Sequence, residues 1–326
     1  MPLTERQIKE RVNFLGGSDA AAILGLSRYK TALMVWALKT GQIIGQDISQ
    51  EMPVKLGNML EDTVCKLFEE ETGKKIEIAN ASACKERGLL YVPDQDDLEG
   101  PVTILHPKHS FIAGNLDGLV KGEHAIFEAK TTNSFKQSEW ESGEEIPVEY
   151  IMQCYHYLII TGLERAYIGC LIGNRKFVWR TIERNERLLA KILAQEIDFW
   201  NKFVVPKIMP MQVTSEDGGV LYSLFPQAAP ESVIELDDEA QRIAESLDSM
   251  QADYKVLESE IEQQKNELRA RMGTYETALT AKYKITWKSS VTKRIDTERM
   301  KREEPGLYER FLKETASRTI RLTVRK

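Results

Sequence analysis

The stretch between Leu89 and Lys130 constrains the fold of this chain more than any other. Four short apolar runs, Leu89–Val92, Thr103–Leu105, Phe111–Val120 and Ala125–Lys130, are separated by turn-forming residues and read as successive strands. Strands this short need helices laid against them to form a core. The flanking sequence supplies those helices. Asn58–Thr72 places Leu60, Val64, Leu67 and Phe68 on one face, with Gly73 as its stop. Pro147 opens a helix that runs to Thr161 and ends at Gly162. Ala166–Ile172 and Phe177–Ile182 read as a hairpin through Gly173 and Asn174, followed by a helix from Glu183 to Val205 that stops before Pro206. Upstream, Asp19–Leu24 and Leu33–Lys39 are helical, broken by a turn at Gly25–Lys30. The alternation predicts an α/β domain over residues 1–210, with a mixed central sheet flanked by helices.

Composition narrows the class. The chain has 326 residues, 42% hydrophobic and 29% charged, the balance of a soluble globular protein. The apolar run at Leu158–Thr161 falls far short of the ~20 residues of a membrane span. The charged start, MPLTERQIKE, has no apolar core of a secretory signal. Cys65, Cys84, Cys154 and Cys170 are dispersed without a CxxC pair, and there are four histidines. That spacing argues against a zinc or disulfide framework and for a reducing cytoplasm.

Residues 211–235, rich in Gly, Ser, Pro and acids, read as a linker to a C-terminal extension at 236–326. There Ile243, Leu247, Met250, Tyr254, Leu257, Ile261 and Leu268 recur at heptad spacing, interrupted by Gln264, along a helix over roughly Asp237–Met272 that ends at Gly273. The seam suits either an intermolecular coiled coil or a helix packed on its own domain. A small α+β tail follows, with a strand around Tyr283–Trp287, a basic helix at Asp296–Lys313 and strand character at Thr319–Val324. Trp287 reads as a core residue rather than a base-stacking platform. The net charge of −6 hides an uneven distribution. Residues 231–280 hold 13 acids against 5 bases, and residues 281–326 hold 14 bases against 6 acids. A chain of this kind can engage a polyanion locally whatever its total charge.

Chemistry concentrates at Gly114-Asn115-Leu116-Asp117-Gly118 and, eleven residues after the acid, Glu128-Ala129-Lys130. In an antiparallel pair the two strand ends meet, so Asp117 and Glu128 can face each other. Alternation puts Glu128 and Lys130 on the same face. Two adjacent carboxylates repel unless a cation lies between them, which is how a hard Mg²⁺ is held. A neighbouring lysine can orient a water or hold a phosphate, and together these suit metal-assisted phosphodiester hydrolysis. Glu61 lies near the start of a helix at the edge of its apolar face, and Gln153 and Tyr157 share one side of a later helix. Singly, each has an ordinary reading: a turn aspartate, a solvated strand-end pair, a helix N-terminal acid. Their joint occurrence, in this order on these elements, favours the site. His156 reads as a helix residue and not a ligand.

The pattern D-x10-E-x-K, with a helical glutamate before it and Gln-x3-Tyr after it, resembles the PD-(D/E)XK nuclease superfamily. Gly16-Gly17-Ser18-Asp19-Ala20-Ala21-Ala22-Ile23-Leu24-Gly25 and Leu56-Gly57-Asn58-x2-Glu61 are similar to the phage lambda exonuclease and YqaJ-type viral recombinase branch. The resemblance covers about residues 11–205. It departs from the superfamily pattern in having Leu116, not proline, before Asp117. It implies a restriction-endonuclease-like core. It also implies that Asp117, Glu128 and the Ala129 carbonyl ligate Mg²⁺, with Mn²⁺ as a substitute, and that Lys130 activates the water. Glu61 would bind a second metal or its water shell, Gln153 would position Lys130 or the phosphate, and Tyr157 would buttress Gln153. Arg11, seven residues before Ser18, matches the arginine–serine spacing of the branch's 5′-phosphate pocket, and Asn115 falls where a further polar contact lies. The implied activity is processive 5′→3′ digestion of linear duplex DNA by a homo-oligomer, a trimeric ring, leaving 3′ strands for a single-strand annealing protein. Two alternatives stand beside it: an endonuclease on the same fold, and a catalytically silent DNA-end-binding scaffold.

Overall fold

The computed structural model describes residues 5–92, 99–141, 146–313 and 317–323. The chain divides into two compact units after Leu224.

The first unit begins with α1 (Glu5–Glu10), α2 (Gly17–Ile23), α3 (Ala32–Lys39) and α4 (Met52–Thr72). It continues with β1 (Ile76–Glu77), α5 (Ala81–Glu86), β2 (Tyr91–Val92), β3 (Thr103–Leu105), β4 (Ala113–Gly114), β5 (Gly118–Val120) and β6 (Ala125–Thr132). After α6 (Ser138–Glu141) come α7 (Val148–Thr161), β7 (Arg165–Ile172), β8 (Lys176–Glu183), α8 (Glu186–Phe199) and α9 (Gly218–Leu224). The main sheet has the order β1-β5-β6-β7-β8. Only β6 and β7 pair in parallel, and α7 makes the crossover between them. The sheet is therefore mixed and covered on both faces, the restriction-endonuclease-like arrangement.

Strand alternation sorts the core into two layers. Ala125 and Phe127 of β6 and Tyr167 of β7 meet Val64 and Phe68 of α4, where the Phe68 and Phe127 ring centroids lie 4.6 Å apart. The intervening residues, Ile126, Ile168 and Cys170, join Leu158 and Ile160 of α7 and Leu189 and Ile192 of α8 on the opposite face. Truncating a fully buried ring such as Phe68 costs about 3–5 kcal/mol in comparable cores.

Several expectations are corrected. Phe111–Val120 is not one strand: β4 belongs to a separate three-stranded sheet, β2-β3-β4, and β5 to the main one. Asn115, Leu116 and Asp117 make the passage between the two sheets. Helix α4 starts at Met52, with Pro53 in its first turn, where the missing N–H has no helical partner to lose. The long helix before Pro206 ends its α-helical part at Phe199 and continues as a π-helical turn to Val204. The linker expected at 211–235 is shorter. Asp217 is fully buried and accepts a hydrogen bond from the Thr31 hydroxyl, and Val220 of α9 packs with Leu33, Trp36 and Phe199. Residues 214–224 thus complete the first unit, leaving about Phe225–Asp237 as the connection.

The second unit contains α10 (Asp238–Met272), the antiparallel hairpin β9 (Thr277–Leu279) and β10 (Lys284–Thr286), α11 (Thr297–Glu303) and α12 (Pro305–Phe311). The single basic helix expected over 296–313 is split at Glu304, because the residue before proline is driven out of the helical region. No strand forms over 319–323, and Val324 lies outside the described residues. The seam of α10 is exposed, with Ile243, Met250 and Tyr254 each about 63–64% accessible. Trp287 is 48% exposed and does not join a core.

Candidate active site

The face of β6 that carries Ile126 also carries Glu128 and Lys130, so both point toward α7. Antiparallel pairing sets Gly118 opposite Phe127, which brings Asp117 level with Glu128. The Ala129 N–H donates to Asp117 Oδ2 at 2.8 Å and fixes that carboxylate at the strand edge.

Glu128 is 1% exposed. Its Oε1 accepts from the Lys130 ammonium and, at 2.6 Å, from Gln153 Nε2, which lies 3.1 Å from the Tyr157 hydroxyl. Its Oε2 is buried with no hydrogen-bond partner among the described residues. Burial, and next the Asp117 charge, push the Glu128 carboxyl up to about 8 against the opposing pull of Lys130. Burial disfavours the Lys130 charge, but the two carboxylates outweigh it and raise its pKa, so the ammonium is retained. The Lys130 ammonium also lies 5.1 Å from the centroid of the Tyr150 ring.

This environment fits a hard divalent cation. An orphaned, buried carboxylate oxygen next to a second carboxylate is a donor set that positive charge would satisfy. Asp117 and Glu128 would hold the ion, with Ala129 lining the same cavity. Among the described residues no three His, Cys, Asp or Glu side chains converge tightly enough to form a cage unaided. Glu61 lines the cavity without completing such a cage.

The cavity, of about 460 Å³, extends from Asp117, Glu128, Lys130 and Gln153 to Arg11 and Asn115. Arg11 Nη2 donates to Ser18 Oγ at 3.3 Å, so the two residues seven apart in sequence do meet. Ser18 lies inside α2, whose N-cap is Gly16, and does not cap the helix itself. The Asn115 amide is turned toward β3, donating to Thr103 Oγ1 at 3.0 Å.

Sequence reasoning missed the frame behind Arg11. Asp19 is 3% exposed and accepts from Lys39 at 2.8 Å, from Lys30 at 3.1 Å and from the Gly16 N–H at 3.1 Å. Burial alone would raise its pKa, yet the two ammonium groups hold it well below the usual carboxylate range. Lys30 also donates to Ser18 Oγ at 3.2 Å, and Lys39 to the Arg11 carbonyl at 2.6 Å. Nothing in the linear sequence pairs these lysines with Asp19. Tyr150 was legible in principle, since 150, 153 and 157 follow one helical face. The motif glycines also acquire a reason. A Cβ at Gly17 would lie 2.8 Å from the Tyr157 ring, and one at Gly114 would lie 2.7 Å from it. Only glycine lets both segments close on that tyrosine.

A mixed sheet presenting an aspartate, a glutamate and a lysine across adjoining strand ends, backed by a helical glutamine, defines the PD-(D/E)XK nuclease class. Residues 8–164 match the YqaJ-like viral recombinase domain. The chain is 34% identical over 313 residues to the uncharacterized protein YqaJ of Bacillus subtilis (strain 168), spanning 94% of this chain and 90% of that protein. It belongs to the YqaJ-like viral recombinase family. Similar solved structures include the alkaline exonuclease LHK-Exo from Laribacter hongkongensis, at 17% identity and TM-score 0.48, covering 63% of this chain and 94% of that one. LHK-Exo in complex with dAMP matches at 18% identity and TM-score 0.49, with the same coverage. A phage-related exonuclease from Haemophilus somnus 129PT matches at 14% identity and TM-score 0.36, covering 60% of this chain and 96% of that one. No helix among the described residues is long and apolar enough to cross a membrane.

Proposed function

We propose that this protein is a Mg²⁺-dependent 5′→3′ exonuclease of linear double-stranded DNA, leaving 3′ single strands for an annealing protein. The observation that carries this reading is the buried Asp117–Glu128–Lys130 group opening into a cavity that ends at Arg11. The names of the similar solved structures agree with an exonuclease activity.

Asp117, Glu128 and the Ala129 carbonyl hold the ion, and Mn²⁺ can replace Mg²⁺ because the donors are all oxygens. When bound, the metal supplies Lewis-acid polarisation of the scissile phosphate and lowers the pKa of water. Lys130, held charged between two carboxylates, donates hydrogen bonds to the attacking water or to a phosphate oxygen. Gln153 fixes the Glu128 carboxylate through its amide, and Tyr157 in turn orients Gln153. Glu61 contributes to the water shell on the α4 side. Arg11 presents a planar donor fork to the terminal 5′-phosphate, with Ser18 behind it; Asn115 is a weaker participant, given its bond to Thr103. A homo-oligomeric ring in a bacterial cytoplasm is the assembly and location that the family resemblance suggests.

The test is one gel with uniformly labelled linear duplex, covalently closed circle and single strand, each with and without Mg²⁺. The expected result is metal-dependent loss of the linear duplex and an intact circle. Cleavage of the circle would replace the exonuclease reading with an endonuclease, and no cleavage of any substrate would leave a DNA-end-binding scaffold.

A further inference from the structure

The C-terminal unit carries a feature that the active site does not use. Residues 282–294 read KYKITWKSSVTKR, five bases without an acid in thirteen positions, with two large aromatic residues among them. In the fold this run starts at the tip of the β9–β10 hairpin. Tyr283 and Trp287 flank β10 and extend its pairing. The Thr280 N–H donates to the Tyr283 carbonyl at 2.9 Å, and the Trp287 N–H to the Glu276 carbonyl at 2.9 Å. Spaced four apart on an extended strand, the two residues lie on one face with their Cα atoms about 13 Å apart. Ile285 lies between them on the same face.

Both residues are exposed. Tyr283 is 61% and Trp287 48% exposed. Each exposed ring forfeits the burial that its large apolar area offers. A two-stranded ribbon is one residue thick, so lysines from the reverse face can reach around its edge. Lys282 does so, with its ammonium 5.5 Å from the centroid of the Tyr283 ring. Lys284, Lys288, Lys293 and Arg294 are likewise exposed. The opposing strand adds one carboxylate nearby, Glu276, at the Trp287 end. The patch therefore combines exposed π faces with a dense local positive charge.

We propose that this hairpin is a second nucleic-acid site, binding single-stranded DNA by stacking bases on Tyr283 and Trp287 and pairing the backbone with the surrounding lysines. Stacking on both rings requires bases that are not already stacked on partners in a duplex, which selects a single strand. The charge complementarity of five cations against the single carboxylate of Glu276 selects a polyanion over an apolar protein surface. The site is independent of the phosphodiester chemistry. It gives a nuclease that generates single strands a place to hold one.

The experiment uses the full chain in EDTA, where no metal-dependent cleavage occurs, with fluorescein-labelled oligo(dT) followed by anisotropy. Trp287→Ala should weaken binding roughly 5- to 150-fold, the range of one base–aromatic stack. Lys282→Glu, Lys284→Glu and Lys288→Glu together should flatten the slope of log affinity against log salt by about 2. Quenching of tryptophan emission by the oligonucleotide should fall in Trp287→Phe, whose affinity should stay near the wild-type value. Far-UV circular dichroism on each variant keeps a folding defect from passing as a binding defect. Unchanged affinity in Trp287→Ala and an unchanged salt slope in the charge variant would overturn the proposal. So would equal displacement by polyglutamate, which would mark a nonspecific anion surface, or tighter binding of a duplex of the same length. Because no cleavage is read, failure here leaves the nuclease reading standing, and failure of the digestion test leaves this one standing.

Discussion

His156 and Glu196 form a fully buried pair that ties α7 to α8, with Nδ1 2.7 Å from the Glu196 carboxylate and Nε2 3.0 Å from the Ala113 carbonyl. A carboxylate and a carbonyl are both acceptors, an arrangement that favours hydrogen on both ring nitrogens. Burial opposes the charged form, but the Glu196 charge and hydrogen bond, with the Ala113 carbonyl, raise the pKa above its ordinary value of 6.5. A raised folded-state pKa gives stability that is complete below about 6.5 and fades as pH climbs through the folded value. Urea midpoints should therefore fall as pH rises above about 6.5, and fall less in Glu196→Gln, which keeps a hydrogen-bonding shape without the charge. Glu196→Ala, which leaves the buried imidazole without its carboxylate partner, should cost about 1–3 kcal/mol.

Asp117→Asn should reduce cleavage roughly 100-fold or more, the scale of several kcal/mol of lost metal-derived stabilisation. Binding to DNA should persist. Ca²⁺ should support that binding with little turnover, because its larger, looser shell orients a nucleophile poorly. Digestion rates beside a mobility-shift titration decide this, and retained activity in Asp117→Asn would remove that residue from the metal site.

Gly17→Ala and Gly114→Ala should each destabilise the fold by about 1–3 kcal/mol, since either methyl group meets the Tyr157 ring. A ring pushed aside also moves the hydroxyl that Gln153 engages, so activity should fall further than stability alone explains. Thermal melts and initial rates on the same preparations separate the two effects.

A chain ending at Leu224 should fold and keep the first unit intact, whereas one ending at Pro210 should be markedly less stable. The shorter chain loses the buried Asp217, its bond from Thr31 and the Val220 contact with Leu33 and Trp36. Limited proteolysis of the full chain should cut first between about Phe225 and Asp237. A stable 1–210 fragment would show that the last turn contributes little.

Digestion of 5′-phosphorylated duplex ends should be faster than of 5′-hydroxyl ends, because a terminal phosphate carries more charge for Arg11 to engage. Arg11→Ala should shrink that ratio without changing the Mg²⁺ dependence. An unchanged ratio would assign the direction of travel to another contact.

The sequence by itself determined what is local and periodic. Alternation placed Glu128 and Lys130 on one strand face, a helical period placed Gln153 beside Tyr157, and the heptads marked α10 to within a residue of its observed ends. Each follows from a backbone repeat that any reader can count. Only the tertiary structure decided what depends on contacts between distant segments. It broke Phe111–Val120 into two sheets so that Tyr157 could pass over Gly114, and it drew residues 214–224 back onto α3 through Asp217. It also buried Asp19 between Lys30 and Lys39, and left Trp287 outside any core. Periodicity shows which side of an element is apolar. It does not show which neighbour arrives to cover that side, because that is settled by packing among residues the chain keeps far apart.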